Sequence, residues 1–161
     1  MIKLKIVLIE DDEILAKVIY EELLEAGFDV SQAFDGEKGL KLARSEKPDL
    51  VLLDLILPKK YGFDVLEELK QSPITSNIPV IVLTMLGRDD DIKKGLKLGA
   101  NDYIVKSQHV ISEIVEKVEK FFGMETHPEA KKSVKSKEAG VEKPPEDNDI
   151  KAKKIKTKLK E

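Results

Sequence analysis

Short apolar runs without polar alternation recur along the first two thirds of this chain. They are rich in branched residues, and segments of helical periodicity separate them; the runs are KIVLI, PDLVLL, IPVIVL and NDYIV. A strand buried on both faces reads as a short continuous apolar run, whereas a half-exposed strand alternates apolar with polar residues. The pattern therefore predicts a parallel β-sheet that is covered by helices on both faces.

The order of the segments predicts how that sheet is connected. Five strands alternate with five helical segments between residue 4 and about residue 122, and the second strand, FDVSQAF, is the least continuously apolar. Such alternation implies right-handed crossovers and a doubly wound three-layer sandwich. The weak second strand suits an edge position, so we predict an α/β, flavodoxin-like fold with five helices and the strand order 2-1-3-4-5.

Helix bounds are predicted from glycines and from apolar periodicity. The first helix should end at Gly27, the second at Ala43, and the last should span 107–122. Ile14 and Val18 belong to the helical spacing of the first helix. The residues of the last helix that we expect to face inward are Val110, Ile111, Ile114, Val115, Val118, Phe121 and Phe122.

Composition excludes several classes of protein. The chain has no cysteine, which leaves no disulfide framework, thiolate zinc site or thiol nucleophile. A metal would have to be held by oxygen atoms, which favours Mg²⁺. The apolar runs are far below the roughly 20 residues that a membrane span needs. MIKLKIVLI is interpreted as a first strand because acids follow it at once, so we expect a cytoplasmic protein.

The composition changes after Gly123. Residues 1–124 contain 17 basic and 23 acidic residues, while residues 125–161 contain 11 lysines and 8 acids. We expect one folded domain over 1–123 and a lysine-rich, disordered tail over 124–161, which has too few large apolar residues to form a core. The acidic domain is not a nucleic-acid binder by charge. The tail could attract polyanions weakly and in a salt-sensitive way.

Five polar residues stand where apolar runs end or just beyond. They are Glu10, Asp11, Asp54, Thr84 and Lys106. In an open parallel sheet the carboxyl ends of the strands share one edge, where ligands bind, so these side chains should converge in one pocket. Three carboxylates in one small pocket repel each other strongly unless a divalent cation binds.

This set of residues could hold one Mg²⁺ ion. Asp11 and Asp54 would be direct ligands, and Glu10 would act through water. The backbone carbonyl of Ile56, in the loop after the third strand, would supply one more oxygen. A cation held in this way would allow an anionic phosphoryl group to approach the carboxylates.

The same residues could accept that phosphoryl group. Asp54 is the candidate nucleophile, since a carboxylate can attack phosphorus. The Thr84 hydroxyl and the Lys106 ammonium could each meet a phosphoryl oxygen. Each residue alone has a simpler explanation: acids after strands often cap helices, Thr84 suits any strand, and Lys106 could be a solvated lysine. Their joint occurrence favours the site.

These motifs together resemble the response-regulator receiver domain of two-component signalling. The resemblance covers residue 3 to about residue 122 and rests on VLIEDD, LVLLDLILPKKYGFDVL, IPVIVLT and LGANDYIVK. In the family's terms, Glu10 and Asp11 form the acidic pair and Asp54 is the phosphoacceptor. Thr84 is the switch hydroxyl, and LGANDYIVK supplies the last two positions, namely the aromatic switch residue Tyr103 and the lysine Lys106.

The resemblance implies a phosphoacceptor signalling domain rather than an enzyme, one that assists its own phosphorylation and dephosphorylation. A histidine kinase or a histidine phosphotransfer protein would donate a phosphoryl group to Asp54 with Mg²⁺ bound. Thr84 would move toward the phosphoryl group and Tyr103 would turn inward. The face made by the fourth helix, fifth strand and fifth helix would then bind an unidentified downstream protein.

Three departures from the family pattern bear on this mechanism. Met85 follows the switch threonine where a small residue is usual, and it could crowd the phosphoryl group. Ser107 replaces the proline that commonly follows the lysine in a cis peptide; a cis bond before serine would cost roughly 3–4 kcal/mol, so we expect a trans bond. Nothing after residue 123 resembles an output domain, so we expect a stand-alone receiver that works through protein contacts.

Two other classes of function compete with this interpretation. A phosphorylation-independent adaptor could keep the fold and lose the switch, and Met85 and Ser107 lend it a little support. A flavodoxin-like enzyme or nucleotide binder is disfavoured because the chain has no GxxxxGK[ST] or GxGxxG motif. A phosphatase loop of the DxD type would need a second aspartate where Ile56 stands.

Overall fold

A computed structural model describes residues 2–125 of the chain. Five parallel strands form one sheet in the order β2-β1-β3-β4-β5, which confirms the predicted topology and places β2 at an edge. The strands are β1 (Lys5–Ile9), β2 (Asp29–Ala33), β3 (Leu50–Leu53), β4 (Val80–Thr84) and β5 (Asp102–Val105). The helices are α1 (Glu13–Glu25), α2 (Gly36–Glu46), α3 (Gly62–Gln71), α4 (Asp89–Lys97) and α5 (Ile111–Phe121). The predicted tail over 124–161 lies, apart from its first two residues, outside the described part.

The three central strands are buried on both faces, as their unalternating sequences predict. Along β1, Ile6 and Leu8 pack into an apolar cluster with α1 and α5. Val7 and Ile9 point to the other face and pack into a second cluster with α2 and α3. Two cores on either side of one sheet give the three layers. No helix in the described range is long or apolar enough to cross a bilayer.

Side-chain caps and left-handed residues set most helix ends. Asp12 begins α1 and accepts hydrogen bonds from two backbone N–H groups of the first turn, each at 3.1 Å. Gly27 follows α1 with φ +96°, a conformation that glycine adopts without strain. The second helix runs to Glu46 rather than to the predicted Ala43, because Lys47 takes the left-handed conformation there at φ 46°.

Two further predictions about helices were wrong. The last helix begins at Ile111 rather than at residue 107, because Lys106–Gln108 form a separate 3-10 turn. Val110 and Phe121 are 38% and 40% exposed rather than facing inward. On α1, Ile14 fits the helical spacing but is 80% exposed. All three residues lie at or near helix ends, where apolar spacing does not ensure burial.

Candidate functional site

The topology brings the predicted acids together at one edge of the sheet. Strands β1 and β3 are neighbours, with Ile9 opposite Leu53, so the residues that follow them, Glu10 and Asp54, lie side by side. The Asp54 N–H donates to the Ile9 carbonyl at 2.9 Å and continues the ladder by one more bond. One carboxylate oxygen each from Glu10, Asp11 and Asp54 lies within 4.8 Å of the other two. These three oxygens could hold one metal ion.

The three carboxylates differ in their exposure to solvent. Glu10 is 1% and Asp54 is 4% exposed, whereas Asp11 is open to solvent. Two ionised acids in so buried a position repel each other and are costly unless something positive pairs with them. Asp11 is therefore the carboxylate of this cluster that solvent reaches most easily.

Lys106 supplies positive charge beside the two buried acids. Its Nζ donates to Asp54 Oδ2 at 2.8 Å and also to Glu10 Oε2. The lysine side chain is only 9% exposed, so all three charged groups share a largely dehydrated space. Among the described residues, Lys106 has the only ammonium group that forms a hydrogen bond with Asp54.

Burial and charge shift the pKa values of this cluster. Burial raises the pKa of Glu10 to about 7, and the charge of Asp54 adds to the rise, while the hydrogen bond from Lys106 opposes it. Burial lowers the pKa of Lys106, but its hydrogen bonds to Asp54 and Glu10 outweigh that effect and leave the pKa raised. The ammonium therefore stays charged at neutral pH, and Glu10 is the group that can take up a proton.

The loop after β3 is folded tightly against the phosphoacceptor candidate. The Ile56 N–H donates to Asp54 Oδ1 at 3.1 Å, and the Gly62 N–H donates to the Leu55 carbonyl at 3.0 Å. A Cβ atom on Gly62 would lie 2.2 Å from Leu55 Cα and 2.6 Å from the Asp54 carbonyl oxygen. Only glycine allows α3 to begin so close to the loop that carries Ile56.

Thr84 and Tyr103 meet through one residue of the loop after β4. Thr84 is fully buried as the last residue of β4, and its Oγ1 accepts a long hydrogen bond of 3.4 Å from the Leu86 N–H. The Tyr103 hydroxyl donates to the Leu86 carbonyl at 2.6 Å, and its ring is half-buried. Burial raises the pKa of this hydroxyl to about 12, to which the charge of Asp91 contributes. This shared loop residue links the two predicted switch positions.

The two unusual residues of the motif lie on the surface. Met85 is 57% exposed, and Ser107 is exposed within the 3-10 turn. No peptide bond in the described part is cis, so the Lys106–Ser107 bond is trans, as expected. The lysine nevertheless reaches both buried acids.

Two contacts of the site were not predicted from the sequence. The ion pair between Lys106 and Glu10 joins residues 96 positions apart, and no local signal marks it. The hydrogen bond from the Ile56 N–H to the Asp54 side chain could have been predicted, because aspartate often accepts such a bond from a residue two positions later. The roles predicted for the individual side chains remain predictions.

Comparisons with known proteins give the family. Residues 6–119 match the response regulator receiver domain family. The DNA-binding dual master transcriptional regulator RpaA of Synechocystis sp. is 44% identical over 102 residues, which cover 63% of this chain and 42% of RpaA. The transcriptional regulatory protein CiaR of Streptococcus pneumoniae is 47% identical over 103 residues, which cover 64% of this chain and 45% of CiaR.

Solved structures agree with this match. The receiver domain of the Francisella response regulator 1452 has a TM-score of 0.67 and 32% identity, and the alignment covers 72% of this chain and 93% of that one. The phosphorylated cyanobacterial phytochrome response regulator RcpA has a TM-score of 0.65 and 36% identity. The alignment covers 74% of this chain and 94% of the RcpA chain.

The matched region is a common part of longer relatives. This chain spans less than half the length of RpaA and CiaR. Its five-stranded sheet, its acidic cluster and its sequence from residue 6 to residue 119 all agree with one assignment. The chain belongs to the response regulator receiver domain family and contains the receiver domain of a two-component response regulator.

Proposed function

We propose that this domain accepts a phosphoryl group on Asp54, with Mg²⁺ bound, and thereby switches a protein-binding surface. The observation that carries the proposal is the convergence of three carboxylates with one buried ammonium, Lys106, that bonds Asp54 directly. A structural ion pair would need no third acid. Asp11 is exposed, and we interpret it as a ligand for a cation that enters from solvent.

The donor set fits Mg²⁺. Every side chain of the acidic cluster offers oxygen, and Mg²⁺ prefers one or two carboxylates together with waters and phosphate oxygens. Asp11 and Asp54 would bind the ion directly and Glu10 through water, with the carbonyl of Ile56 as a further ligand. When bound, Mg²⁺ supplies positive charge that lowers the repulsion between the carboxylate and the incoming phosphoryl group.

Residues of the chain itself would carry out the phosphoryl transfer. An Asp54 carboxylate oxygen attacks phosphorus, an O–P bond forms, and the N–P bond of a phosphohistidine donor breaks, which leaves the donor imidazole to take a proton. Lys106 would keep its bond to the Asp54 side chain or pass it to a phosphoryl oxygen. Hydrolysis of the resulting acyl phosphate would reset the domain. A histidine kinase or a histidine phosphotransfer protein is the proposed donor.

The switch would run through Thr84 and Tyr103. A phosphoryl oxygen would attract the Thr84 hydroxyl, whose present partner at 3.4 Å is a weak one. Leu86 would move with it, and Tyr103 bonds the carbonyl of that same residue. In thermodynamic terms the phosphoryl group shifts the balance between two states of this loop and of the face beside it.

The proposed downstream partner is a protein. RpaA and CiaR are named as transcriptional regulators, but this chain spans less than half of each. Residues 1–124 carry more acidic than basic residues, which disfavours contact between the receiver domain and nucleic acid. Any weak attraction to nucleic acid would fall to the lysines of residues 125–161.

The proposal is tested by incubating the protein with Mg²⁺ and acetyl phosphate and measuring intact mass. The expected result is a gain of one phosphoryl group that needs Mg²⁺ and disappears in Asp54→Asn. Asp64→Asn is the matched control, because Asp64 is exposed on α3 and should leave the gain unchanged. No gain from acetyl phosphate or from a histidine kinase would favour the phosphorylation-independent adaptor.

A further inference from the structure

Helix α4 has only one buried residue, a glycine. Gly95 is the only buried residue of α4, whereas each of the other four helices buries three or more residues. Its neighbours on α4 are mostly charged, with three aspartates in the first turn and lysines in the last. The packing of this helix therefore depends heavily on what lies against position 95.

The atoms closest to a side chain at position 95 would be those of the Tyr103 ring. A Cβ atom on Gly95 would lie 2.9 Å from both Cδ2 and Cε2 of the Tyr103 ring and 4.0 Å from Phe63 Cε1. Real Cβ atoms do not approach ring carbons so closely, and Gly95 has no positive φ that would itself require glycine. The absence of a side chain at position 95 therefore makes room for the ring of Tyr103, and the backbone of α4 does not itself require glycine there.

The neighbours of the Tyr103 ring determine the direction in which it can move. The Tyr103 ring is partly buried and packs against the buried cluster that contains Phe63 of α3, so this side offers it no space. On the other side, β5 is an edge strand of the described sheet, so no further strand lies beyond the ring. A side chain at position 95 would therefore push the Tyr103 ring outward and break its hydrogen bond to the Leu86 carbonyl.

We propose that Gly95 is a positioning residue that sets the resting conformation of Tyr103. Its lack of a side chain admits the ring to the space between α4 and β5, and any larger residue there holds the ring outside. The functional consequence rests on the proposed function, because it assumes that Tyr103 reports phosphorylation to the surface. On this view position 95 determines how far the unphosphorylated domain already favours the inward ring.

The direct test follows the ring in protein that carries no phosphoryl group. The chain has three tyrosines, so ¹³C-tyrosine NMR gives a simple spectrum, and Tyr103→Phe identifies the signal. We expect Gly95→Ala to move the Tyr103 signal toward that of a solvent-exposed tyrosine while the Tyr20 signal stays in place. Lys93→Ala, at an exposed position of α4, is the control. An unmoved Tyr103 signal in folded Gly95→Ala, or an equal shift in the control, would overturn the proposal.

Thermal melting gives a second test that does not depend on assignments. Alanine favours a helix interior over glycine, so Gly95→Ala should raise the Tm when nothing obstructs it. We expect no rise, or a fall, in the wild-type background and a rise in the Tyr103→Ala background. If Gly95→Ala shifted the Tm equally in both backgrounds, or unfolded both, the clash would not involve Tyr103 and the proposal would fail.

Phosphorylation separates failure of this inference from failure of the proposed function. Gly95→Ala should gain a phosphoryl group from acetyl phosphate and Mg²⁺ as wild type does, while its Tyr103 signal remains that of a solvent-exposed ring. If neither protein gains mass while the ring moves, the proposed function fails and the placement of Tyr103 by Gly95 stands. If both gain mass and the ring signals are identical, the inference fails alone.

Discussion

Glu10 and Lys106 show how one pair of side chains sets the electrostatics of the site. The raised pKa of Glu10, about 7 against 4.5 for an ordinary glutamate, means that the folded state holds this proton more tightly than the unfolded state does. Ionisation of Glu10 therefore opposes folding as the pH rises between those two values. Lys106 limits this cost by donating to Glu10 and Asp54 together.

Removal of Lys106 should destabilise the protein in a pH-dependent way. Lys106→Met leaves two buried carboxylates without their cation, and breaking a buried pair typically costs about 3–5 kcal/mol. The loss should be smaller at pH 5 than at pH 8, because the pKa of Glu10 rises further without the ammonium and the protonated acid needs no partner. Urea unfolding at both pH values measures the difference.

The control for this prediction is Lys93→Met, which changes an exposed lysine of α4 and should cost little at either pH. Equal losses for Lys106→Met at pH 5 and pH 8 would mean that the lysine acts through packing rather than through charge.

Asp11 should matter for Mg²⁺ and not for the fold. Asp11→Ala removes an exposed carboxylate that only adds repulsion to the cluster, so the free energy of unfolding without metal should stay within about 0.5 kcal/mol or rise. The Tm increase that Mg²⁺ gives the wild type should disappear in the variant, since ligands stabilise only the state that binds them. Asp64→Ala should keep the full increase. A large loss of stability without metal would make Asp11 a structural residue.

At the scale of elements, the strand ends carry the site and the loops adjust it. The strands could be predicted because their runs are short, branched and unalternating, which fits burial on both faces. The start of α5 could not, because Lys106–Gln108 form a 3-10 turn whose sequence differs little from a first helical turn. The close approach of α3 to the loop after β3 was also not predicted, although Gly62 marks it.

Gly62→Ala should disturb this loop through a steric clash. The new methyl group would meet backbone atoms of Leu55 and Asp54, which cannot rotate away. We expect a loss of about 1–3 kcal/mol, as for other overpacked positions, and weaker Mg²⁺ binding because the Ile56 loop must shift. Thermal melting with and without Mg²⁺ measures both effects.

Gly123→Ala is the comparison for this variant, because Gly123 has φ +70° and open space around it. It should cost roughly 1–2 kcal/mol through backbone conformation alone and leave Mg²⁺ binding unchanged. If Gly62→Ala bound Mg²⁺ as tightly as Gly123→Ala does, the loop after β3 would not contribute to the metal site.

For the whole molecule, one topological fact turns scattered residues into a site. The strand order 2-1-3-4-5 makes β1 and β3 neighbours, and this order allowed the convergence of Glu10 and Asp11 with Asp54 to be predicted from sequence. The partners of each side chain could not be predicted in the same way, because rotamers depend on packing between distant segments. The ring of Tyr103 against Gly95 and the bonds from Lys106 to two acids are of this kind.

In the proposed function, the carboxylate of Asp54 itself receives the phosphoryl group. Reduction with borohydride after treatment with Mg²⁺ and acetyl phosphate tests it most directly, because it converts an aspartyl phosphate to homoserine, which peptide mass spectrometry can locate. We expect homoserine at position 54 and at no other aspartate, and none when Mg²⁺ is removed. Homoserine at a different position, or a phosphoryl gain that leaves position 54 unreduced, would contradict it.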